Sequence, residues 1–451
     1  MNLLNAEGFF EDGGFEYVRF EQSDLNGLSR SKTVPVRHFR QYAENGLNFF
    51  GGLLSLTASG DILAAGESAE DRRFDDQVIW PDPRTLSSVP WVPRTARVLS
   101  EPSRPDGTPV LAGPRLIARS QVQRLTDLGY TIRGSFDYQF YLVESLDGTP
   151  VSPRRAPFLS RQNEFDPEFM IELLDNLSSA GVDITMSSAS FGPGQMSISF
   201  ASAVGINGTD QAFTFKNGVK EMAGLHGYTA SFMTFPMSGA DASGGVLSQS
   251  LLDRRGVNLF HDATSLNGLS PLACHWIGGQ VRHAAALAAI CAPTVNCFKR
   301  YRSGVLAPAN ASWALDDATA AFRVMGAGRQ NVLVENRLPG AASNPYLVAA
   351  AVIAAGLDGI TNSIEPPPAS VGVASADAAA PPLPQSLDEA LDALQADTAL
   401  VAALGASFVD LFVAVKRSEI EAARAALPEY ESADWDTSVS DWERESYFDI
   451  F

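Results

Sequence analysis

The sequence predicts an α+β chain of two domains, a small strand-rich one over residues 1–105 and a larger one over residues 106–451. Three observations carry that prediction. The first hundred residues alternate apolar and polar side chains in short runs such as YVRFEQSD and TARVLS, parted by Gly and Pro turns. From about Pro114 the period changes, and helical spacing, a long alternating run and helical spacing again follow one another. Further on, several long stretches place apolar residues every three to four positions, as helices backing a sheet do.

Taken in order, the short opening runs read as strands, and Phe49, Phe50, Gly51 and Gly52 as either an apolar interface loop or a packed turn. Arg115 to Leu128 has helical spacing, TIRGSFDYQFYLV alternates as a strand does, and Asp166 to Ala180 is helical again. Asp210 to Gly227, Leu272 to Cys291 and Asn344 to Gly359 read as long core helices. The Pro- and Ala-rich run from Glu365 to Gln385 reads as an exposed excursion. Ser386 and Glu389 form a capping-box pattern ahead of Leu387, Leu391 and Leu394, and Phe408 to Ala426 continues helical spacing. The acidic tail from Tyr430 carries Trp435, Trp442, Tyr447, Phe448 and Phe451, and is expected to dock on its own domain or on a neighbouring subunit.

Composition narrows the function classes. With 33 Lys plus Arg against 52 Asp plus Glu, the net charge of -19 argues against nucleic acid and acidic lipid surfaces as partners. The longest apolar runs, such as Pro345 to Leu357, fall short of the roughly 20 residues a bilayer demands, so no membrane span is expected. The opening MNLLNAEGFFEDGG is poor in cations and has no apolar targeting core, so no targeting segment is expected. Cys274, Cys291 and Cys297 match neither a disulfide framework nor a zinc pattern, and a reducing cytoplasmic setting is expected. His38, His226, His261, His275 and His283 sit in no ligand motif and read as surface or core residues.

Four segments invite a chemical reading: SFGPGQMSISF, ADASGGVLSQSL, FKRYR and ENRLPGAASNPYL. Each alone is unspecific. Their order, with IRGSFDYQFYLV upstream, resembles the glutamine synthetase family, over roughly residues 15 to 451. YVRFEQSDLNGLSRSKTVP, SSASFGPGQMSISF, FTFKNGVKEMAGLHGYTASF and NPYLVAAAVIAAGLDGI resemble the lengsin branch of that family, known for an eroded site. The resemblance implies an N-terminal β-grasp-like domain and a larger catalytic-type α+β domain with a curved antiparallel sheet. It also implies a homo-dodecamer of two stacked hexameric rings with sites between adjacent subunits, in which the aromatic tail is a candidate for part of the inter-ring contact.

In that family carboxylates and one histidine hold divalent ions that bridge ATP to glutamate, chemistry that requires hard oxygen ligands. By the resemblance, Asp137 and Gln139 stand where the family has Glu-x-Glu, and Ser190 and Ser197 where it has two Glu flanking a Pro-Gly-Gln turn. Val246 takes the place of the metal-binding histidine, Leu306 of the Glu that deprotonates ammonium, and Ala318 of a phosphate-binding Arg. Retained are Ala292 to Arg300, Ser250 of a Gln-Ser-Leu segment, Arg323, the metal ligand Glu335 and the substrate-carboxylate Arg337. Asp137 and Glu335 are thus the remnants of a metal site, and no metal or other cofactor is expected.

The implied function is a catalytically inactive, structural or scaffolding oligomer of the lengsin type, with itself and an intermediate-filament or other cytoskeletal protein as partners. Two alternatives stay open: an ATP-dependent carboxylate–amine ligase with altered substrate, using Mg or Mn, and a non-catalytic module that binds a nucleotide or glutamate. On the residues alone, Asp137 and Gln139 read as polar side chains facing a wet cavity sooner than as ligands of a weakened metal site. Lys299, Arg300, Arg323 and Arg337 read either as an anion site or as ion-pair and contact groups.

Overall fold

The computed structural model describes residues 3–63, 76–146, 148–155, 157–160, 166–265, 267–303, 306–430, 432 and 435–451. The alternating opening forms β1 (Tyr17–Ser23), β2 (Ser29–Pro35), β3 (Leu47–Phe49), β4 (Gln77–Pro81), β5 (Ser87–Ser88) and β6 (Thr95–Ser103). Among the described residues these make one sheet in the order β2-β1-β6-β4-β3, with β5 beside β6 and β1 parallel to β6. Val18, Phe20 and Val98 are buried on one face, as the period of two requires. They pack with Phe10 of α1 (Leu3–Asp12) and Phe39 of α2 (Phe39–Asn45), whose rings meet edge to face at 4.9 Å. Phe49 and Phe50 lead into a packed turn, Gly51–Ser55, that buries Leu53 and Leu54.

The second sheet is built on β7 (Thr131–Val143), which coincides with the alternating run. Around it lie β8 (Ile184–Ala189), β9 (Gln195–Phe200), β10 (Ala203–Val204), β11 (Thr229–Ser231) and β12 (Gly245–Leu252), then β13 (Trp313–Leu315), β14 (Phe322–Met325) and β15 (Leu333–Asn336). Among the described residues the order is β13-β14-β15-β12-β7-β9-β8, with β10 and β11 also on β7, antiparallel except at β13–β14. Phe136, Tyr138, Phe140 and Leu142 project from one face of β7 into the core, stacking with Phe215 and Phe232. Each such side chain contributes roughly 1.5–3 kcal/mol by leaving water. Ser135, Asp137 and Gln139 therefore project from the opposite face.

Helices back the sheet: α3 (Pro114–Asp127), α4 (Pro167–Ser179), α5 (Asn207–Leu225), α6 (Pro271–Arg282), α7 (Ala284–Cys291), α8 (Phe298–Ser303) and α9 (Pro345–Thr361). Then come α10 (Leu387–Ala396), α11 (Thr398–Leu404) and α12 (Ala406–Ala426). Asp166 caps α4 by accepting from Phe169 N at 3.1 Å, and Asn344 caps α9 through Tyr346 N at 3.0 Å. Helices α6 and α9 cross where both lack side chains, since a Cβ on Gly359 would lie 2.0 Å from the His275 carbonyl oxygen. Ser386 caps α10 through Glu389 N, while Glu389 returns to Gln385 N, one residue short of the reciprocal box.

Two expectations are corrected, one in the helices and one in the tail. Leu272 to Cys291 is two helices, because the chain turns at His283, whose ring is held by Asp397 at 2.5 Å and Asp358 at 3.0 Å. The Pro- and Ala-rich stretch is the exposed excursion expected, with Val371 97% and Val373 60% exposed, and it is anchored at three points: Asn310 donates to the carbonyls of Ala374 and Asp377, and Trp313 to that of Pro367. The aromatic tail is buried in its own chain, with Tyr447 and Phe451 each 1% exposed, so neither ring is available to an inter-ring contact. Phe232 N donates to the Phe451 carbonyl at 2.8 Å, and Ser231 to that of Phe448 at 2.6 Å.

No single described helix is long and apolar enough to cross a membrane, and the pair α11–α12 that passes jointly bends by 104°. The three thiols are free, Cys291 and Cys297 being buried.

His283 makes folding pH-dependent. Burial alone would lower its pKa, but the bonds and charges of Asp397 and Asp358 outweigh burial and raise it. A base whose folded pKa exceeds its unfolded value of about 6.5 contributes stability in full below that pH and loses it as pH rises through the folded value. Urea midpoints of the wild type should therefore fall from pH 6 to 8.5 more than those of His283→Gln. Parallel profiles would refute this.

Candidate functional site

The concave face of the second sheet opens into a cavity of about 910 Å³. Register places its floor. Asp137 lies opposite Ser199 on β9 and Val246 on β12, and Gln139 opposite Ser197. Glu335 on β15 faces Ser248 on one side and Arg323 on the other. Asp137, Gln139, Ser197, Val246, Leu306, Arg300, Arg323, Glu335 and Arg337 all line this one cavity.

Four of the expected site residues, Ser190, Ser250, Ala318 and Lys299, do not line it. Ser250, expected among the substrate- or nucleotide-binding remnants, is buried further along β12 opposite Arg133. Ala318 sits in the turn after β13, and Ser190 is buried behind Gln139, accepting from its amide at 2.9 Å. Gln139 is held at its other end too, since its Oε1 accepts from Gly244 N at 2.9 Å. The Pro193-Gly194-Gln195 turn shapes this edge: Gly194 has φ +70, and Gln195 Oε1 accepts from Gly192 N at 2.9 Å.

The charges are unevenly matched. Glu335 Oε2 is approached by Arg337 at 3.2 Å and Arg323 at 3.5 Å. Asp137 has its pKa raised, first by burial and then by Glu335, with the Ser199 bond and Arg337 pulling the other way. Arg300 is 4% exposed and donates to the carbonyls of Leu338 at 3.0 Å and Arg337 at 2.9 Å, and its burial lowers its pKa to about 10. Lys299 points away from the cavity, to Glu443 at 2.6 Å and the Trp435 ring at 3.3 Å, which removes it from any anion site.

Hard divalent cations take six or more oxygen ligands, largely carboxylates or water. Here the floor offers one carboxylate, Asp137, beside amide, hydroxyl and isopropyl groups, and Glu335 is already bracketed by two guanidiniums. Among the described residues, no three His, Cys, Asp or Glu side chains converge as a metal-binding group. The donor set does not fit a divalent pair.

Sequence reasoning missed part of the lining. Arg155, paired to Asp241, and the apolar Phe158, Met186 and Phe191 also face the cavity. These come from a loop, from β8 and from the turn after it. The only signal was the basic pair Arg154–Arg155, which belongs to no motif.

Comparison with known proteins places the fold in a family. Residues 111–435 match the family described as glutamine synthetase, catalytic domain. Human lengsin is 35% identical over 416 residues, 90% of this chain and 80% of lengsin. A glutamate–methylamine ligase of Methyloversatilis universalis is 31% identical over the whole of both chains. A crystal structure described as a novel glutamine synthase homolog superposes with a TM-score of 0.84 at 27% identity, covering 96% of this chain and 99% of that one.

Proposed function

Since the chain belongs to the glutamine synthetase family and keeps its fold, we propose that it is a non-catalytic member acting as a structural, scaffolding oligomer of the lengsin type. One observation carries the reading. Of the six positions at which the family resemblance implies metal ligands, only Asp137 and Glu335 bear carboxylates, and Glu335 is neutralised by Arg323 and Arg337. An ATP triphosphate drawn into such a site would meet no metal to share its charge. The unpaired thiols are in keeping with a cytoplasmic setting.

Closed rings with heterologous contacts fix the subunit number, so the protein should sediment as one large species, about twelve chains for a double ring. A second reading, an ATP-dependent ligase acting on glutamate and an altered amine, draws on the end-to-end match to the methylamine ligase. The two part in one assay. With ATP, magnesium or manganese, glutamate and a panel of ammonium, methylamine and isopropylamine, phosphate release should stay at background. Leu306→Glu should not raise it, because a general base has nothing to act on without metal-bound phosphates. Amine-dependent phosphate release by the wild type would establish the ligase instead, and a monomer at micromolar concentration would end the scaffold reading.

A further inference from the structure

We propose that the cavity of the second sheet binds an organic monocarboxylate with an aromatic or branched-alkyl body, held without turnover. This rests on the non-catalytic reading above and adds the class of ligand to it.

Charge comes first. Four guanidiniums line the cavity, those of Arg155, Arg300, Arg323 and Arg337, against the three carboxylates of Asp137, Asp241 and Glu335. Arg155 is taken by Asp241, and Arg323 and Arg337 share Glu335. Arg300 is nine-tenths buried and forms no ion pair among the described residues, being held only by backbone carbonyls. One positive charge is left over, which a single carboxylate balances and an amine would worsen. A triphosphate exceeds it severalfold.

The apolar wall then sets the body. Phe158 is 65% exposed, Met186 59% and Leu306 41%, yet all three face the cavity, with Phe191 and Val246 beside them. Phe158 is held at φ +60 by its N–H on the Ala189 carbonyl at 3.1 Å, with its ring edge to face against Phe191 at 5.9 Å. A non-glycine residue kept in that conformation at a cavity mouth is strain retained for what its side chain meets. Arg337 joins the two halves, since its Nη2 donates to the Leu306 carbonyl at 3.4 Å while its Nη1 meets Glu335. The volume, near the upper end for small-molecule sites, leaves room for a bulky body.

Isothermal titration of the full-length oligomer with 3-phenylpropionate, acetate, phenethylamine and L-glutamate tests this. 3-Phenylpropionate should bind with a Kd on the order of 0.1 mM, and the other three at least about tenfold more weakly. Arg337→Gln should weaken 3-phenylpropionate at least about tenfold. Phe158→Ser, at a side chain 65% exposed, should weaken it about fivefold and leave acetate unchanged, with the urea midpoint checked beside it. Absence of saturable binding, equal binding of glutamate or phenethylamine, or unchanged affinity in Phe158→Ser would overturn the proposal and leave the scaffold reading standing. Phosphate release from ATP when 3-phenylpropionate and ammonium are supplied together would overturn the non-catalytic reading while the binding claim stood.

Discussion

Glu443→Ala should destabilise the fold by about 3–5 kcal/mol, the cost of breaking a buried ion pair from one side. Glu443 is fully buried, and its Oε1 accepts from Lys299 at 2.6 Å and Asn296 at 2.8 Å. Its Oε2 accepts from Ser440 N at 2.8 Å, closing a capping box on the short turn Asp441–Glu443. Removing the carboxylate leaves an ammonium 1% exposed, beside the Ser438 carbonyl and the Trp435 ring, without its buried counter-charge. Burial already lowers the Lys299 pKa to about 8, and losing Glu443 lowers it further. The folded variant then binds fewer protons than the unfolded chain, so its stability should rise with pH. Urea midpoints of wild type and variant should lie further apart at pH 7 than at pH 9. A loss below about 1 kcal/mol would show the pair to be idle.

Arg115→Ala should cost a similar amount, about 3–5 kcal/mol, by taking the shared guanidinium from three acids at once. Arg115 donates to both oxygens of Asp210 at 2.9 Å, to Glu101 at 2.7 Å and to Asp82 at 3.2 Å. It thereby ties β6 and the segment after β4 to α3 and α5, and Tyr346 of α9 joins by donating to Asp210 at 2.7 Å. Arg115→Lys should recover little, because one ammonium cannot reproduce the planar fork. The same cluster sets an acid limit. Burial would raise the Asp82 pKa, but the bonds from Arg84 and the charge of Arg115 lower it to about 2. A depressed carboxyl pKa contributes stability in full above the unfolded value near 4, lost as pH falls through 2. Wild-type midpoints should drop on acidification from pH 4 to 2, and those of Arg115→Ala less steeply.

What was legible follows from the physics of each element. Residues 131–143 could be bounded from the sequence because a strand with one face in the core must alternate without interruption. The long helices were visible through their apolar spacing, whereas the break at His283 was not, since it depends on Asp358 and Asp397, distant in sequence. α1 was missed because Leu3–Asp12 mixes acids and aromatics without a clean stripe. At the site, strand positions such as Asp137, Val246 and Glu335 could be placed by motif order. The mouth could not, because Arg155, Phe158 and Met186 reach it from segments whose direction only tertiary packing decides.

The sheet pairings also dictate when each part of the chain can become structured. β1 waits for β6 before Tyr17 can pair with Thr95, and β12 waits for β15 before Leu247 can pair with Asn336. Such distant partners close large loops before any contact repays them, which slows folding. During that wait β7 is a thirteen-residue ribbon with both edges open, rich in aromatic and branched side chains. A second newly made copy offers the same ribbon in the same state, and the two can pair with each other until β9 and β12 arrive. The strand that organises the finished cavity is therefore also an aggregation hazard of the nascent chain, for as long as those edges stay uncovered.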